Sequence, residues 1–248
     1  MKIVATIEAR MASSRLPGKI LLPLAGAPAI VRMVERVLRS KRIDQVVVAT
    51  TRDAKDDPVE ALCIKAGISF YRGSQEDVLA RVLEAAQSVR ADIIVELTGD
   101  CPLIDPTHID QMVDLYASGK YDYVLNRLYP GYPDGLDVQV FSVEALAGIE
   151  KLTQDPIDRV HVSSFFRRQA GAYRVGGPRL EEFDEEYWPD LGITLDEDAD
   201  YQLLARIYET LYPTLPNFQT LDILRLLRAN PDWVSLNRHV RRKELHEG

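Results

Sequence analysis

Hydrophobic and polar residues follow two distinct patterns along the first half of this 248-residue chain. Short runs rich in Val, Ile and Ala, typical of strands buried on both faces of a parallel sheet, occupy residues 2–7, 45–50, 67–71 and 92–97. After each run, apolar residues recur every three to four positions, as on the buried side of an amphipathic helix. These helical segments occupy residues 28–40, 57–66, 74–86 and 105–118. The pattern predicts an α/β fold with a doubly wound, right-handed, mostly parallel sheet.

The second half of the chain is less regular. Strands are expected at residues 121–126, 137–141 and 192–195, with the second of them antiparallel. Helices are expected at residues 155–168, from about 200 to 212, and at 221–227, and the charged tail from Asn237 onward is predicted to be surface or interface. Because no linker or change in composition divides the chain, residues 1–248 are predicted to form one domain with a small antiparallel extension of the sheet.

The overall charge narrows the classes of function. With 38 acidic and 30 basic residues the net charge is −8, so binding to nucleic acid or to an anionic membrane is not expected. Cys63 and Cys101 have no CxxC spacing and no histidine at ligand spacing, which argues against a structural zinc site or a disulfide framework. Since the sequence shows no secretory leader and no apolar run of about 18 residues, we expect a cytoplasmic protein.

The loop after the first strand, residues 9–19, concentrates groups that bind anions. It contains three cations and two hydroxyls beside a glycine and a proline, without strand or helix periodicity. The groups concerned are Arg10, Ser13, Ser14, Arg15 and Lys19. We interpret the segment as an anion-binding loop. An ordinary surface loop with solvated charges would have the same composition.

Two well-known phosphate-binding motifs do not fit this loop. A P-loop ends in Gly-Lys, as Gly18-Lys19 does, but it needs glycine where Ser13 stands and serine or threonine where Ile20 stands. The chain also lacks GxGxxG after its first strand, which disfavours a dinucleotide-dependent dehydrogenase.

Acidic residues follow two of the predicted strands. Asp100 comes after Gly99 at the end of the fourth strand, and Asp196 follows the late strand. Ligands of open α/β sheets lie beyond the carboxyl ends of the strands, so both carboxylates are candidate ligands of Mg²⁺, an ion that takes one or two protein carboxylates with phosphates and water. A turn-stabilising Asp100, and helix capping by Asp196, Asp198 and Asp200, would explain the same residues.

His161 lies beside Arg159 near the start of a predicted helix. A core or capping role is the alternative to a substrate contact. Neither a Ser–His–Asp arrangement nor a metal-type histidine pair accompanies it.

Four stretches, taken in order, resemble the cytidylyltransferases that activate 3-deoxy sugar acids, a family that includes the CMP-sialic acid and CMP-Kdo synthetases. They are residues 9–19 (ARMASSRLPGK), 72–81 (RGSQEDVLAR), 98–103 (TGDCPL) and 132–138 (YPDGLDV). With residues 195–201 they span most of the chain, and the strongest likeness is to the spore coat polysaccharide SpsF-like branch. The first stretch is the most specific, because other nucleotidyltransferases also use the GDxPL turn.

The resemblance implies a nucleotide-diphospho-sugar transferase fold that binds CTP above the strand ends and uses Mg²⁺. Phosphate contacts are implied for Arg10, Ser13, Ser14, Arg15 and Lys19, of which Arg10, Arg15 and Lys19 would be catalytic. Nucleotide contacts are implied for Asp77 and Arg81, and metal contacts for Asp100 and Asp196. Acceptor contacts are implied for Asp134, Gly135, Asp137, Arg159 and His161.

The resemblance also implies a reaction, in which a hydroxyl of a 3-deoxy sugar acid attacks the α-phosphorus of CTP and pyrophosphate leaves, for surface polysaccharide biosynthesis. Residues 121–175 would form the acceptor side and a candidate homodimer interface, and residues 213–248 a helical tail. Two sites depart from the SpsF-like pattern: Gln139, where that branch has Glu, and Ser163-Ser164, where it has Thr-Pro. Both lie on the acceptor side and leave the identity of the acceptor sugar open.

Two other kinds of function are compatible with the same residues. One is another transferase on this fold, either a uridylyl- or guanylyltransferase acting on a sugar phosphate or a glycosyltransferase that uses residues 196–198 as a DxD motif. The other is a non-catalytic partner that binds a nucleotide and releases no product.

Overall fold

The computed structural model describes residues 1–169 and 171–241 of the chain. The strands are β1 (Ile3–Glu8), β2 (Pro23–Leu24), β3 (Ala27–Pro28), β4 (Gln45–Thr51), β5 (Ser69–Gly73), β6 (Ile93–Thr98), β7 (Tyr123–Leu125), β8 (Gln139–Ser142) and β9 (Val175–Gly176). The α-helices are α1 (Ala29–Val37), α2 (Asp57–Ala66), α3 (Val78–Ser88), α4 (Pro106–Ala117), α5 (Val143–Leu152), α6 (Pro156–Val160), α7 (Ser164–Arg168), α8 (Asp198–Leu211), α9 (Thr220–Ala229) and α10 (Pro231–Val234).

A seven-stranded sheet in the order β5-β4-β1-β6-β8-β7-β9 forms the centre of the molecule. Strands β5, β4, β1 and β6 are parallel, which confirms the predicted doubly wound α/β fold. Strand β8 pairs antiparallel with both β6 and β7, and β9 pairs parallel with β7. The hairpin of β2 and β3 forms a separate small antiparallel sheet. The chain winds outward from β1 to β5 and then crosses back to β6, so the loops after β1 and β6 meet at the same edge.

The two faces of the sheet are both covered by helices. In β1, Ala5 and Ile7 pack into a core shared with α1, α2 and α4, whereas Val4 packs with Ala85 of α3 on the other face. Alternate residues of a strand point to opposite faces, so a run buried on both sides must be apolar throughout. This explains why the parallel strands read as continuous Val- and Ile-rich runs.

The predicted helix over residues 155–168 is two short helices, α6 and α7, separated by residues 161–163. Asp155 caps α6 by accepting the Ile157 N–H, as the Asp-Pro sequence suggests. The helix ends at Val160 because His161 leaves the helical conformation (φ −109°, ψ 52°). The connection turns His161 toward the strand edge.

The predicted strand at residues 192–195 is wrong. Only Gly192 forms a bridge, with Asp134. The Ile193 N–H donates to the Asp134 carbonyl (2.8 Å), and the Leu195 N–H donates to the Asp100 carbonyl (2.8 Å). Because the segment bonds two different loops in succession, it forms no ladder, and it instead carries Asp196 to the carboxyl edge of the sheet.

Several elements lie outside the sequence predictions, namely the β2–β3 hairpin, α5, β9 and α10. The predicted surface position of the tail also fails at its start, because Asn237 is buried and its side-chain amide donates to the Gly192 carbonyl (2.9 Å) and to Asp200 Oδ1 (2.7 Å). Residues 242–248 of that tail lie outside the described residues. In the described ranges, no helix has the length and apolar character needed to span a membrane.

Candidate active site

The loop that follows β1 is folded around the peptide of Met11. The Met11 carbonyl accepts the N–H groups of Ser13 (3.0 Å) and Gly18 (2.9 Å). Gly18 has φ +72°, a left-handed conformation that favours glycine. The Met11 N–H donates to Asp56 Oδ1 (2.6 Å), and Asp56 also accepts the Thr51 hydroxyl. Buried Asp56 therefore anchors the loop to the end of β4.

Asp56 is a residue that the sequence analysis missed. It lies in the run Asp53 to Asp57, where several acids follow β4 and look alike. Burial of Asp56, at 2% exposure, distinguishes it from its neighbours, and burial is not visible in so local a pattern.

Lys19 joins two carboxylates from distant parts of the chain. Its Nζ donates to Asp100 Oδ2 (3.0 Å) and to Asp196 Oδ1 (2.9 Å). Burial opposes the charge of Lys19, but the two carboxylates outweigh it and raise the pKa of the ammonium group. Burial likewise opposes ionisation of Asp100, but Lys19 and hydrogen bonds from Thr98 and the backbone together outweigh it and lower the pKa of Asp100. We call this group of three residues the Lys19 clamp.

Arg15 extends the clamp toward the end of the chain. Its guanidinium contacts Asp196 Oδ1 (3.1 Å) and Glu197 Oε1 (3.3 Å), and it donates to the Arg241 carbonyl (2.9 Å). An arginine that spans two acids and a carbonyl in this way is oriented before any ligand arrives.

The acids after the clamp have capping roles. Asp200 Oδ2 accepts the N–H groups of Asp196 (3.1 Å) and Glu197 (2.9 Å), completing a capping box at the start of α8. Asp198 lies in the first turn and accepts from the Gln202 amide (2.6 Å). Asp200 thus has a capping role and Asp198 bonds within the first turns of α8, whereas Asp196 faces Lys19.

A cleft of about 290 Å³ opens between the loop, the clamp and helices α3 and α6. Nine of the predicted site residues line it: Arg10, Ser13, Ser14, Arg15, Lys19, Arg81, Asp100, His161 and Asp196. They come from five separate segments of the sequence, so the fold brings together most of the predicted site.

Asp77 and Arg159 do not line this cleft but form a link behind it. Asp77 caps α3 by accepting the Ala80 N–H (2.9 Å), and its other oxygen contacts Arg159 (3.2 Å). Arg159 also contacts Glu150 of α5 (3.2 Å). The link holds α3, α5 and α6 together.

Asp134, Gly135 and Asp137 also lie outside the cleft. Both acids contact Arg127, and Asp134 borders a second cavity of about 630 Å³. Gly135 has φ +106°, and a Cβ there would lie 2.7 Å from the Ile193 carbonyl carbon, so only glycine fits. These residues connect the β7–β8 turn to the segment that carries Asp196.

A pair of acids, Glu8 and Glu96, is the other feature that the sequence analysis missed. Glu8 ends β1 and lines the cleft, and Glu96 lies buried in β6 at 3% exposure, within hydrogen-bonding reach of Glu8. Burial raises the pKa of Glu8 to about 7, and burial together with Glu8 raises the pKa of Glu96 well above its ordinary value. The sequence signal that could have identified the pair is a glutamate next to or inside an apolar run: Glu8 directly follows one such run, and Glu96 lies within another.

Arg81 lies beside this pair. It is 2% exposed, and burial lowers the pKa of its guanidinium while Glu8 counteracts that shift. Its Nη1 donates to the Ser74 carbonyl (2.5 Å). We call Glu8, Val78 and Arg81 the α3 side of the cleft, and Ser13, Ser14, Arg15 and Lys19 the loop side.

The two departures from the SpsF-like pattern meet behind the acid pair. The Ser163 hydroxyl donates to Gln139 Oε1 (2.5 Å), which also accepts from the Tyr123 hydroxyl, and Ser163 contacts Glu96. Ser164 donates instead to Asp158 Oδ1 (2.7 Å). The residues that depart from the pattern therefore lie behind Glu8, where Ser163 contacts Glu96, and not on the surface of the cleft.

Comparison with known proteins agrees with this geometry. A sequence model of the family described as cytidylyltransferase matches residues 4–210. The chain is 33% identical to the spore coat polysaccharide biosynthesis protein SpsF of Bacillus subtilis, over 93% of this chain and 95% of that protein. A 3-deoxy-manno-octulosonate cytidylyltransferase of Chlorobium phaeobacteroides is 42% identical over 54% of this chain and 53% of its own length.

Among solved structures, a cytidylyltransferase from Leptospira borgpetersenii superposes with a TM-score of 0.86 at 32% identity, over 98% of this chain and 100% of that one. The family match runs from β1 into α8 and so includes the loop, the acid pair and all three residues of the Lys19 clamp. The resemblance carried by the sequence motifs is confirmed, and the chain belongs to the cytidylyltransferase family.

Proposed function

We propose that this protein transfers CMP from CTP to a hydroxyl of a 3-deoxy sugar acid and releases pyrophosphate, for surface polysaccharide biosynthesis. The observation that carries the proposal is the Lys19 clamp, a largely buried ammonium between Asp100 and Asp196 on the wall of a cleft whose loop side is cationic. Such a cleft suits a polyanion accompanied by a metal ion.

The sugar-acid acceptor is supported by the names of the relatives. The 3-deoxy-manno-octulosonate cytidylyltransferase acts, by name, on a 3-deoxy sugar acid, but it matches 54% of this chain. SpsF matches 93% of the chain, and its name gives the pathway and no substrate. The acceptor is therefore proposed as a class, the 3-deoxy sugar acids.

Mg²⁺ fits the carboxylates of the clamp. Both point at one position, that of Lys19 Nζ, and in residues 1–169 and 171–241 no group of three or more Asp, Glu, His or Cys side chains is arranged to hold a metal. An ion that takes one or two protein carboxylates and keeps phosphate and water ligands suits such a pair. When bound by Asp100 and Asp196, Mg²⁺ would neutralise phosphate charge and acidify the attacking hydroxyl.

The residues of the chain itself supply positioning and positive charge. Transfer of a nucleotidyl group requires the attacking hydroxyl, the α-phosphorus and the leaving oxygen to lie in line, while charge grows on the phosphate oxygens. We assign Arg10, Arg15 and Lys19 to that charge, and the hydroxyls of Ser13 and Ser14 to orienting the phosphates.

A pyrophosphate-release screen tests the proposal. The purified protein is incubated with each of the four nucleoside triphosphates, Mg²⁺ and a panel of Kdo, sialic, legionaminic and pseudaminic acids. We expect release with CTP and at least one sugar acid. Release with UTP or GTP and a sugar 1-phosphate, and none with CTP, would contradict it.

A glycosyltransferase that uses residues 196–198 as a DxD motif is disfavoured by the structure. Asp198 lies in the first turn of α8 and bonds Gln202, and it does not line the cleft with Asp196. A glycosyltransferase would also consume a finished nucleotide sugar without releasing pyrophosphate, which the same assay detects.

A further inference from the structure

The α3 side of the cleft has a feature that phosphate binding and metal binding do not use. Glu8 and Glu96 lie on neighbouring parallel strands, with Thr6 opposite Glu96 and Glu8 opposite Thr98. Residues two apart in a strand point to the same face, so both glutamates face α3 and meet there. Two carboxyl groups in contact in a buried setting cannot both be ionised.

The hydrogen bonds around Glu96 indicate which of the two acids holds the proton. Within residues 1–169 and 171–241, no donor reaches Glu96 Oε2, although this atom is fully buried. A buried carboxylate oxygen without a donor is costly, whereas a protonated Glu96 has an acceptor within reach in Glu8. Glu96 is therefore the partner that keeps its proton when Glu8 ionises, and its O–H then fixes the Glu8 carboxylate at the cleft wall.

Arg81 brings its guanidinium N–H groups close to the Glu8 carboxylate. It lines the cleft, and Glu8 is the acid that acts most strongly on it. The carbonyls of Ser74 (2.5 Å) and Gln75 (3.4 Å) hold its Nη1, while its buried Nε has no partner among the described residues. Arg81 therefore lies at the cleft near Glu8 with its guanidinium held in place by backbone carbonyls.

We propose that Glu8 and Arg81 select the base of the nucleotide, with Glu8 accepting the exocyclic amino group of cytosine and Arg81 donating to its ring acceptors. This inference rests on the proposed use of CTP. The edge of cytosine carries an amino donor followed by N3 and O2 acceptors, and a glutamate is a natural acceptor for that amino group. Uracil has a carbonyl in place of the amino group, so its oxygen would face the Glu8 carboxylate.

The place proposed for the triphosphate agrees with this assignment. The hydroxyls and the Lys19 clamp lie on the loop side, whereas Glu8 and Arg81 lie on the α3 side of the same cleft. A nucleotide whose phosphates occupy the loop side extends its other end toward α3. In this arrangement Glu8 and Arg81 are specificity residues, and Glu96 is a positioning residue that acts through Glu8.

The test is the ratio of CTP to UTP affinity, measured by calorimetry with Mg²⁺ and without acceptor. The shared triphosphate cancels in this ratio, so only base recognition remains. We expect the wild type to prefer CTP, and Glu8→Gln to reduce the preference by ~10-fold or more, the scale of discrimination that one good contact with a base edge supplies. A glutamine amide can turn either its oxygen or its NH₂ toward the base, so Glu8→Gln can bind both cytosine and uracil.

Further variants separate recognition from damage to the fold. Glu96→Gln keeps a donor to Glu8 and should retain the CTP preference, whereas Glu96→Leu removes the donor and should reduce it. Glu8→Asp withdraws the carboxylate from the base and should reduce the preference as well, which provides a second reading if Glu8→Gln folds poorly. Exposed Glu76 offers the matched control, Glu76→Gln, with the same charge change and no expected effect.

The outcomes distinguish this inference from the proposed function. If the wild type prefers CTP and Glu8→Gln keeps the same ratio, base selection by Glu8 is refuted and the proposed function stands. If the wild type binds UTP or another nucleotide more tightly than CTP, the proposed function itself fails, and this inference fails with it.

Discussion

The two sides of the cleft handle charge in opposite ways. On the loop side, opposite charges are paired, with Lys19 between Asp100 and Asp196 and with Arg15 against Asp196. On the α3 side, the like groups Glu8 and Glu96 lie together beside Arg81, and burial raises the pKa of both acids. The first arrangement can exchange an internal partner for a charged substrate, whereas the second resists exchange and keeps one acceptor fixed. In the proposed binding mode, the phosphates and the base therefore have different supports, one adaptable and one rigid.

Removing the central cation should have the largest effect. Lys19→Ala removes the ammonium between Asp100 and Asp196, leaving Arg15 as the remaining cation against Asp196, and withdraws a donor from the phosphates. We expect turnover to fall by ~10²-fold or more, the loss typical of one stabilising donor. Pyrophosphate release with the acceptor found in the screen measures it. Lys41→Ala, at an exposed lysine, is the control, and turnover near that of the control would exclude a catalytic role for Lys19.

Asp56→Ala tests the anchor of the loop side. Asp56 accepts both the Met11 N–H and the Thr51 hydroxyl, so its removal leaves two donors without their partner. We expect the free energy of unfolding to fall by about 1–3 kcal/mol, measured by urea denaturation, together with weaker CTP binding. Asp56→Asn keeps one acceptor and should lose less. An unchanged unfolding midpoint in Asp56→Ala would show that the loop does not depend on this anchor.

The pH dependence of stability tests the α3 side. Because folding raises the pKa of Glu8 from 4.5 to about 7, the folded state retains a proton that the unfolded chain releases. The resulting stability is complete below pH 4.5 and is lost as the pH rises toward 7. Urea unfolding between pH 5 and pH 8 should show this decline in the wild type.

Glu96→Gln is the matched variant for that measurement. It keeps a donor to Glu8 and removes the second acid, so we expect a flatter pH profile than in the wild type. Identical slopes for the two proteins would mean that the pair does not share a proton.

The smallest effect is expected at the link behind the cleft. Asp77→Asn retains a capping oxygen for α3 but loses the ion pair with Arg159. Since the Asp77 side chain is 34% exposed, the pair should contribute less than about 1 kcal/mol to unfolding free energy. A loss well above that value would show that α3 and α6 depend on this contact.

The loop side is the part that local sequence could predict. Residues 9–19 are contiguous, and Asp100 and Asp196 each follow a segment that leads to the carboxyl edge of the sheet. The strands of the parallel sheet were equally clear, because burial on both faces demands unbroken apolar runs. The segment before Asp196 has the same apolar character but bonds two loops, so composition alone assigns it wrongly to a strand.

The α3 side required the register of the sheet. Nothing near Glu8 in the sequence indicates that Glu96 is its neighbour, since their contact depends on the pairing of β1 with β6. Gln139 and Ser163 were recognised as departures from a pattern, yet only the fold shows that both face the buried side of Glu96. Long-range pairs of this kind leave no local periodicity.

A crystal structure of the protein with CTP and Mg²⁺ tests the account most directly. We predict that the triphosphate lies against the loop side, with Lys19 Nζ bonded to a phosphate oxygen, and that the cytosine amino group lies within hydrogen-bonding distance of Glu8. A triphosphate bound elsewhere, such as in the second cavity beside Arg127, with the Lys19 clamp unchanged, would contradict it.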